Sequence, residues 1–219
     1  MGRDAGRLSL ILLFAPFVLW IGLLIILPQL GIGYVSLREK VGINQYEFGL
    51  GNYADFFGEP IYRNTLLRTA WMSILVTALA LVLGFPIAWY IAKIAKERSR
   101  AALFLMCLIP LWVSDLVRAY GWILLLRETG VISTTLVSLG IISGPVEMLY
   151  NDVTVIIGLV YTVILFMIVP LVSTLDGMDN AMIEAGYNLG GNGFTVLRRI
   201  IIPYAMPGIV SGCIVTFML

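Results

Sequence analysis

Residues 153–175 read VTVIIGLVYTVILFMIVPLVSTL, and this run decides the class of fold. It contains no charged residue and is bounded by Asp152 and Asp176. A bilayer's hydrocarbon core is roughly 30 Å thick and takes about 20 helical residues to cross. The run is long enough to span as one helix, and a soluble core has little use for so much uninterrupted apolar length. Working outward, residues 8–37, 69–92 and 200–219 are also free of charge. Of the 219 residues, 60% are apolar and 12% charged, where an ordinary soluble domain carries about a quarter charged residues. The expected fold is all-α, integral to the membrane, a polytopic helix bundle.

Five spans are expected: 9–33, containing Pro16 and closing near Pro28; 67–91; 101–126, interrupted by Asp115 and Arg118; 153–175; and one beginning near Tyr204 and reaching Leu219. The stretch 129–146 is uncharged but rich in Ser, Thr and Gly and contains Pro145. Cytoplasmic loops collect Lys and Arg, and this arbitrates. If 129–146 does not span, Arg3, Arg7, Lys93, Lys96, Arg98, Arg100, Arg198 and Arg199 fall inside, and Arg38, Lys40, Arg63, Arg68 and Arg127 fall outside. If it spans, Arg198 and Arg199 move out and the bias disappears. The stretch is therefore expected to be an interfacial or partly re-entrant periplasmic element. The N-terminus is then cytoplasmic, with outer loops at 36–64 and 127–152 and inner loops at 93–100 and 176–202. The chain stops inside its fifth span without a polar flank, so a continuation beyond Leu219 is expected.

Several classes are excluded. Net charge is +1, which gives no electrostatic case for nucleic acid. There is no histidine, hence no His-based catalysis, His-ligated zinc or His proton relay. Cys107 and Cys213 sit in apolar runs and read as small hydrophobes rather than a disulfide or metal site. Arg3 and Arg7 precede the first run as in a signal peptide, but the run is too long for one and no cleavage site follows; it reads as a retained helix. No constellation of nucleophile, base and metal ligands stands out, so no catalytic residue, metal or cofactor is assigned. The phosphate-cradling pattern Gly-x-x-x-x-Gly-Lys-Ser/Thr is missing, so any ATP that drives this chain is bound by another polypeptide.

The segment 176–203 carries the most specific pattern: Glu184-Ala185-Gly186, three residues, Gly190, nine residues, then Ile200-Ile201-Ile202-Pro203. Met178, Met182, Ala185 and Leu189 recur at spacings of three and four, an apolar stripe on a short helix. Gly190-Gly191-Asn192-Gly193 ends that helix, because glycine accepts the left-handed conformation at a C-terminus. A second helix bearing Arg198 and Arg199 leads to Pro203 and the last span. Such an amphipathic helix either lies on lipid headgroups or is docked by a partner.

This pattern resembles the Glu-Ala-Ala, three residues, Gly, nine residues, Ile-x-Leu-Pro motif of permeases in binding-protein-dependent ABC importers. The spacing is kept throughout; Gly186 replaces the usual Ala and Ile202 the usual Leu. Pro110-Leu-Trp-Val-Ser-Asp-Leu-Val-Arg118-Ala-Tyr-Gly-Trp122, Val155-Ile-Ile-Gly-Leu-Val-Tyr161 and Pro170-Leu-Val-Ser-Thr174 resemble spermidine/putrescine permeases more narrowly. The resemblance implies a single permease domain over 1–219 of the type I importer kind, continuing into a sixth helix, with 176–203 as the cytoplasmic coupling loop. It implies a bacterial inner-membrane location. It also implies a second permease subunit, two cytoplasmic ATPase subunits and a periplasmic solute-binding protein, besides membrane lipid. Met182, Glu184, Ala185, Gly186, Leu189, Gly190 and Pro203 are then the coupling residues. Glu184 makes polar contact at the ATPase cleft, Ala185 permits close approach, Gly190 breaks the helix and Pro203 sets the turn into the next span.

Asp115 and Arg118 are three apart and share a helix face. Intramembrane charges face a bundle interior or a wet cavity, so the pair either lines a translocation path or neutralises itself to fix packing. Trp112, Tyr120, Trp122 and Tyr161 are either cavity aromatics able to stack on an ammonium or belt and packing residues. Gly208 and Gly212 form a small-xxx-small helix contact, and Gly140 and Gly144 a weaker one. The resemblance implies an importer of polyamines; importers of an amino-acid derivative, phosphonate or iron share the architecture, and an ion-coupled secondary transporter stays open.

Overall fold

The computed structural model describes residues 13–42 and 45–219. The expected start of the first span at Ser9, with Arg3 and Arg7 before it, lies outside the described residues. Among the described residues four helices are long and apolar enough to cross a membrane, or five if a bent pair counts as one span. They are α1 (Leu13–Ser36), α3 (Pro60–Ile94), α7 (Asp152–Asp176) and α9 (Gly193–Met218), the bent pair beginning at Glu97. Helices are the economical answer here, because each backbone N–H finds its carbonyl within the same segment and none is left facing lipid.

The chain divides into two compact units at Arg68 and Thr69, within α3. In the first unit α1 does not close near Pro28 as expected but runs on to Ser36. Proline lacks an N–H and its ring crowds the carbonyl four residues back. The turn before it, Gly22–Ile26, widens so that Leu27 N–H reaches Gly22 O, five residues back, and this absorbs the ring without ending the helix.

The expected outer loop 36–64 is structured. Strands β1 (Arg38–Gly42) and β2 (Gln45–Phe48) pair antiparallel, with Arg38 opposite Phe48 and Glu39 opposite Glu47. The Arg38 guanidinium lies 4.5 Å from the Tyr46 ring centre and 5.6 Å from that of Tyr34. The short helix α2 (Gly51–Gly58) follows. Asn52 ties it back, its amide donating to Ser36 O at 3.0 Å and Arg38 O at 2.9 Å.

The second unit holds the core. Along α3, Val76, Ala80, Gly84, Ala88 and Ala92 are all buried, a stripe of mostly small residues at every fourth position. Along α7 the buried face includes Val160, Val163, Met167, Leu171 and Leu175, and along α9 Ala205, Gly208, Gly212 and Thr216. Small residues let helices approach closely where no hydrophobic force from water drives them together. A Cβ built on Gly84 would lie 3.3 Å from Met167 Cγ, and one on Gly212 2.8 Å from Met167 Sδ. Met167, fully buried, is thus gripped from both α3 and α9. Gly208 abuts α7 more tightly still, its built Cβ 2.6 Å from Thr174 Oγ1 and 2.8 Å from Pro170 O.

The expected third span is broken. Residues Glu97–Trp112 form α4, and α5 (Asp115–Leu126) begins after Val113 and Ser114, the two halves of the span meeting at 90°. Pro110 ends the regular helix, which tightens over Ile109–Trp112, and Ser114 then stands at the N-cap of α5. The stretch 129–146 contains one helix, α6 (Val131–Ser138), about 12 Å long at 1.5 Å per residue and too short to span. Its Ser133 Oγ, fully buried, accepts from Val146 N–H at 3.0 Å, and Met148 N–H donates to Leu126 O at 3.1 Å. The segment is thereby folded back on the end of α5.

Candidate functional site

Two groups of expected residues come together, one at the foot of α9 and one beside α5. At the foot, α7 closes at Asp176 and the helix α8 (Asn180–Asn188) follows almost at once. Asp179 caps α8, its Oδ1 accepting from Ala181 N–H at 2.9 Å. The far end is a Schellman motif: Gly191 N–H reaches Gly186 O at 3.1 Å and Gly190 N–H reaches Tyr187 O at 2.9 Å. Gly190 has φ +79°, the left-handed conformation that a side chain would strain. Asn192 then caps α9, its Oδ1 accepting from both Thr195 N–H and Thr195 Oγ1–H at 2.8 Å. Both caps and the intervening turn are fixed by local bonds, so α8 is a rigid short rod and not a floppy loop.

One face of α8 is buried through Gly186, where a built Cβ would lie 2.5 Å from Ile200 Cδ1 and 3.2 Å from Val196 Cγ2. The glycine that departs from the usual Ala is therefore what lets α9 seat against α8. The surface flanking that seat is open: Met182, Ala185 and Leu189 are exposed, Leu189 by 89%. Met178 does not belong to that stripe, contrary to its spacing. It precedes the cap at Asp179 and is buried in the core at 3% exposure. Glu184 is exposed and forms no hydrogen bond or ion pair among the described residues. Tyr187 and Phe194 extend the exposed apolar surface.

Pro203 sets no turn, which corrects the expectation. Helix α9 runs unbroken from Gly193 through Pro203 to Met218, so the helix that carries the last span begins eleven residues before Tyr204. The physical reason repeats that at Pro28: over Leu197–Ile201 the bonds widen, Ile202 N–H reaching Leu197 O, and the proline ring is accommodated.

Beside α5, Asp115 occupies the first turn, where the helix dipole favours an acid. It pairs with Arg118 one turn on. The Asp115 side chain is 84% exposed and that of Arg118 only 12%, and Arg118 Nη1 is buried without a partner. A cavity of about 680 Å³ is lined by Trp112, Ser114, Asp115, Arg118, Thr162 and Phe166 among others. A second, of about 340 Å³, shares Asp115, Arg118 and Thr162 and adds Trp122 and Thr154. Trp122 meets Tyr161 edge to face, ring centres 5.6 Å apart. Tyr120 lines neither cavity and is 66% exposed. Ser114, Thr154 and Thr162 escaped the sequence reading; two threonines eight apart within the apolar run of α7 were the available signal.

A search of solved structures finds this architecture in a bacterial ABC transporter involved in the import of the acidic polysaccharide alginate. The TM-score is 0.71 at 18% identity, over 98% of this chain and 74% of that one. The fold is therefore that of a chain of such a transporter, a multi-pass helix bundle. No protein-family model matches the sequence. The spermidine/putrescine transport system permease protein PotB of Haemophilus influenzae is 36% identical over 201 residues, covering 91% of this chain and 70% of the relative. PotB of Escherichia coli is 35% identical over the same length, covering 91% and 72%. The chain belongs to the PotB family of ABC transporter permeases.

Proposed function

We propose that this chain is the permease subunit of an ATP-driven importer that moves polyamines of the spermidine or putrescine kind inward by alternating access. The observation that carries the reading is α8, a rod capped at both ends that seats Gly186 on α9 and leaves Met182, Ala185 and Leu189 open beside that seat. Exposed apolar side chains on a rigid helix next to an unpartnered Glu184 suit a protein cleft better than water. The relatives are named as permeases of spermidine/putrescine transport systems, which supports the same solute class here.

In this reading ATP is bound by two separate cytoplasmic ATPase subunits, which seat α8 and its counterpart on a second permease subunit. A periplasmic solute-binding protein delivers the polyamine. The N-terminus is cytoplasmic; Lys93, Lys96, Arg98, Arg100, Arg198 and Arg199 flank the ends of α3 and α9 on the side assigned to the cytoplasm, which supports that orientation. Binding of ATP favours the outward state by its differential affinity for the two conformations, and hydrolysis releases that bias. Asp115 and the indoles of Trp112 and Trp122 supply carboxylate and π faces for ammonium groups along the cavities beside α5. Because Arg118 neutralises Asp115, the path orients a polycation without trapping it.

One observation favours the same architecture with a different solute. Arg118 Nη1 is a buried donor without a partner, and a solute carrying both an amine and a carboxylate, such as an amino-acid derivative, would satisfy it. Reconstituted complexes decide between them: vanadate-sensitive uptake of labelled spermidine that excess putrescine suppresses and amino acids leave intact is the expected result. Uptake driven by an ion gradient and insensitive to vanadate defeats the importer reading.

A further inference from the structure

The segment joining α7 to α8 is only Gly177-Met178-Asp179, and it is the path along the chain by which movement of α8 reaches α7. Three consecutive residues, Asp176 at the end of α7 and Gly177 and Met178 of the joint, are each held by a side chain from a different helix. The Asp176 carboxylate pairs with the guanidinium of Arg100 on α4, whose Nη2 also donates to Ala92 O near the end of α3 at 2.6 Å. Gly177 O accepts from the Tyr204 hydroxyl on α9 at 2.9 Å. Met178 O accepts from the Lys93 ammonium in the last turn of α3. Beneath them Leu175 and Met178 are buried, which pins the joint from inside.

An acid in the last turn of a helix opposes the helix dipole, so Asp176 is not there to stabilise α7 alone. The Arg100 and Asp176 side chains are 37% and 49% exposed, and ion pairs so open to solvent add little to stability. What the arrangement supplies is geometry: a glycine-containing joint that would otherwise bend is bound to α3, α4 and α9 together. Arg100 Nε is buried without a partner, so one donor of the same group is still unspent in this conformation.

We propose that Lys93, Arg100 and Tyr204 form a latch on residues 176–178 that makes displacement of α8 move α3, α4, α7 and α9 as one body. These are positioning residues that act through the joint and touch neither solute nor nucleotide. The inference rests on the reading of 176–203 as the coupling loop.

The test uses the complete reconstituted transporter and reads labelled spermidine taken up per ATP hydrolysed, with the amount of ATPase subunit that co-purifies. Tyr204→Phe removes one hydroxyl and keeps the ring; Arg100→Gln and Asp176→Asn remove charge at similar size. Uptake per ATP is expected to fall roughly two- to thirty-fold, the range for mutations along coupling networks, while the ATPase still co-purifies. Arg100→Lys, which keeps the charge but not the two-armed reach, should recover part of the ratio. An unchanged ratio in all three variants overturns the latch, as does a smaller yield of complex at unchanged ratio, which marks a merely structural role. Leu189→Asp in the same preparation separates the two failures. If it loses the ATPase while the latch variants keep their ratio, the latch alone is wrong; if it keeps the ATPase, the coupling-loop reading itself falls.

Discussion

Replacing Gly190 isolates the backbone geometry that ends α8. Its φ is +79°, and a Cβ built there meets nothing within 4 Å. Alanine at this position therefore clashes with no neighbour, and its whole cost is the left-handed conformation, about 1–2 kcal/mol for a residue with a Cβ. Asparagine visits that conformation more readily, so Gly190→Asn should cost less, and Gly190→Val more. A cost of one or two kcal/mol shifts a local equilibrium roughly five- to thirty-fold. Opening of the Schellman turn should rise by that factor in Gly190→Ala. Hydrogen exchange at the amides of Leu189, Gly190 and Gly191 reads it directly, since the first donates to Ala185 O and the others close the turn. Uptake per ATP should follow the same order, Gly above Asn above Ala above Val. Equal protection in Gly190→Ala and Gly190→Asn would refute the reasoning, because the strain would then not be what the glycine relieves.

Three further outcomes follow from the packing. Leu189→Asp puts a charge on the most exposed large side chain of the stripe and should weaken ATPase co-purification by about 2 kcal/mol or more, roughly thirty-fold in Kd, leaving the helicity of the permease intact by circular dichroism. Gly208→Ala forces a Cβ to within 2.8 Å of the Pro170 carbonyl. Overpacking of about 1–3 kcal/mol, less about 1 kcal/mol of recovered helix propensity, should lower the thermal midpoint in detergent, whereas Gly31→Ala, with nothing within 4 Å, should not. Asp115→Asn leaves the Arg118 guanidinium as a lone cation beside the cavity. Repulsion of about 1–2 kcal/mol at partly solvated distances should raise the half-saturating spermidine concentration of uptake and leave assembly unaffected.

Much of the bundle could be read from the sequence because lipid enforces a simple rule, length without charge. The run 153–175 lies one residue inside each end of α7, since Asp152 and Asp176 mark where the apolar stretch meets polar surroundings. The C-terminus of α8 was equally legible, because only glycine takes φ +79° without strain. The hairpin at 38–48 was not: it is short and polar, and it places Glu39 opposite Glu47, a pairing that no alternation of apolar residues announces. The break at Val113 and Ser114 falls just before the charges Asp115 and Arg118, and Pro110 with a serine before an acid marks the helix end and the new start. Pro28 and Pro203 each predict a boundary, and both helices instead widen one turn and continue. The ties on 176–178 carry no local signal at all. Lys93 and Met178 are 85 positions apart and Arg100 and Asp176 are 76 apart, and such meetings are set by how α3, α7 and α9 pack.

Everything functional here depends on which side of the membrane α8 occupies. In a chain carrying Cys107→Ser and Cys213→Ser, Leu189→Cys offers a single thiol at a position 89% exposed. A membrane-impermeant maleimide should label it in inside-out vesicles, and bound ATPase subunit should protect it. Labelling of the same thiol in intact right-side-out vesicles would put α8 in the periplasm, beyond the reach of any nucleotide-driven partner.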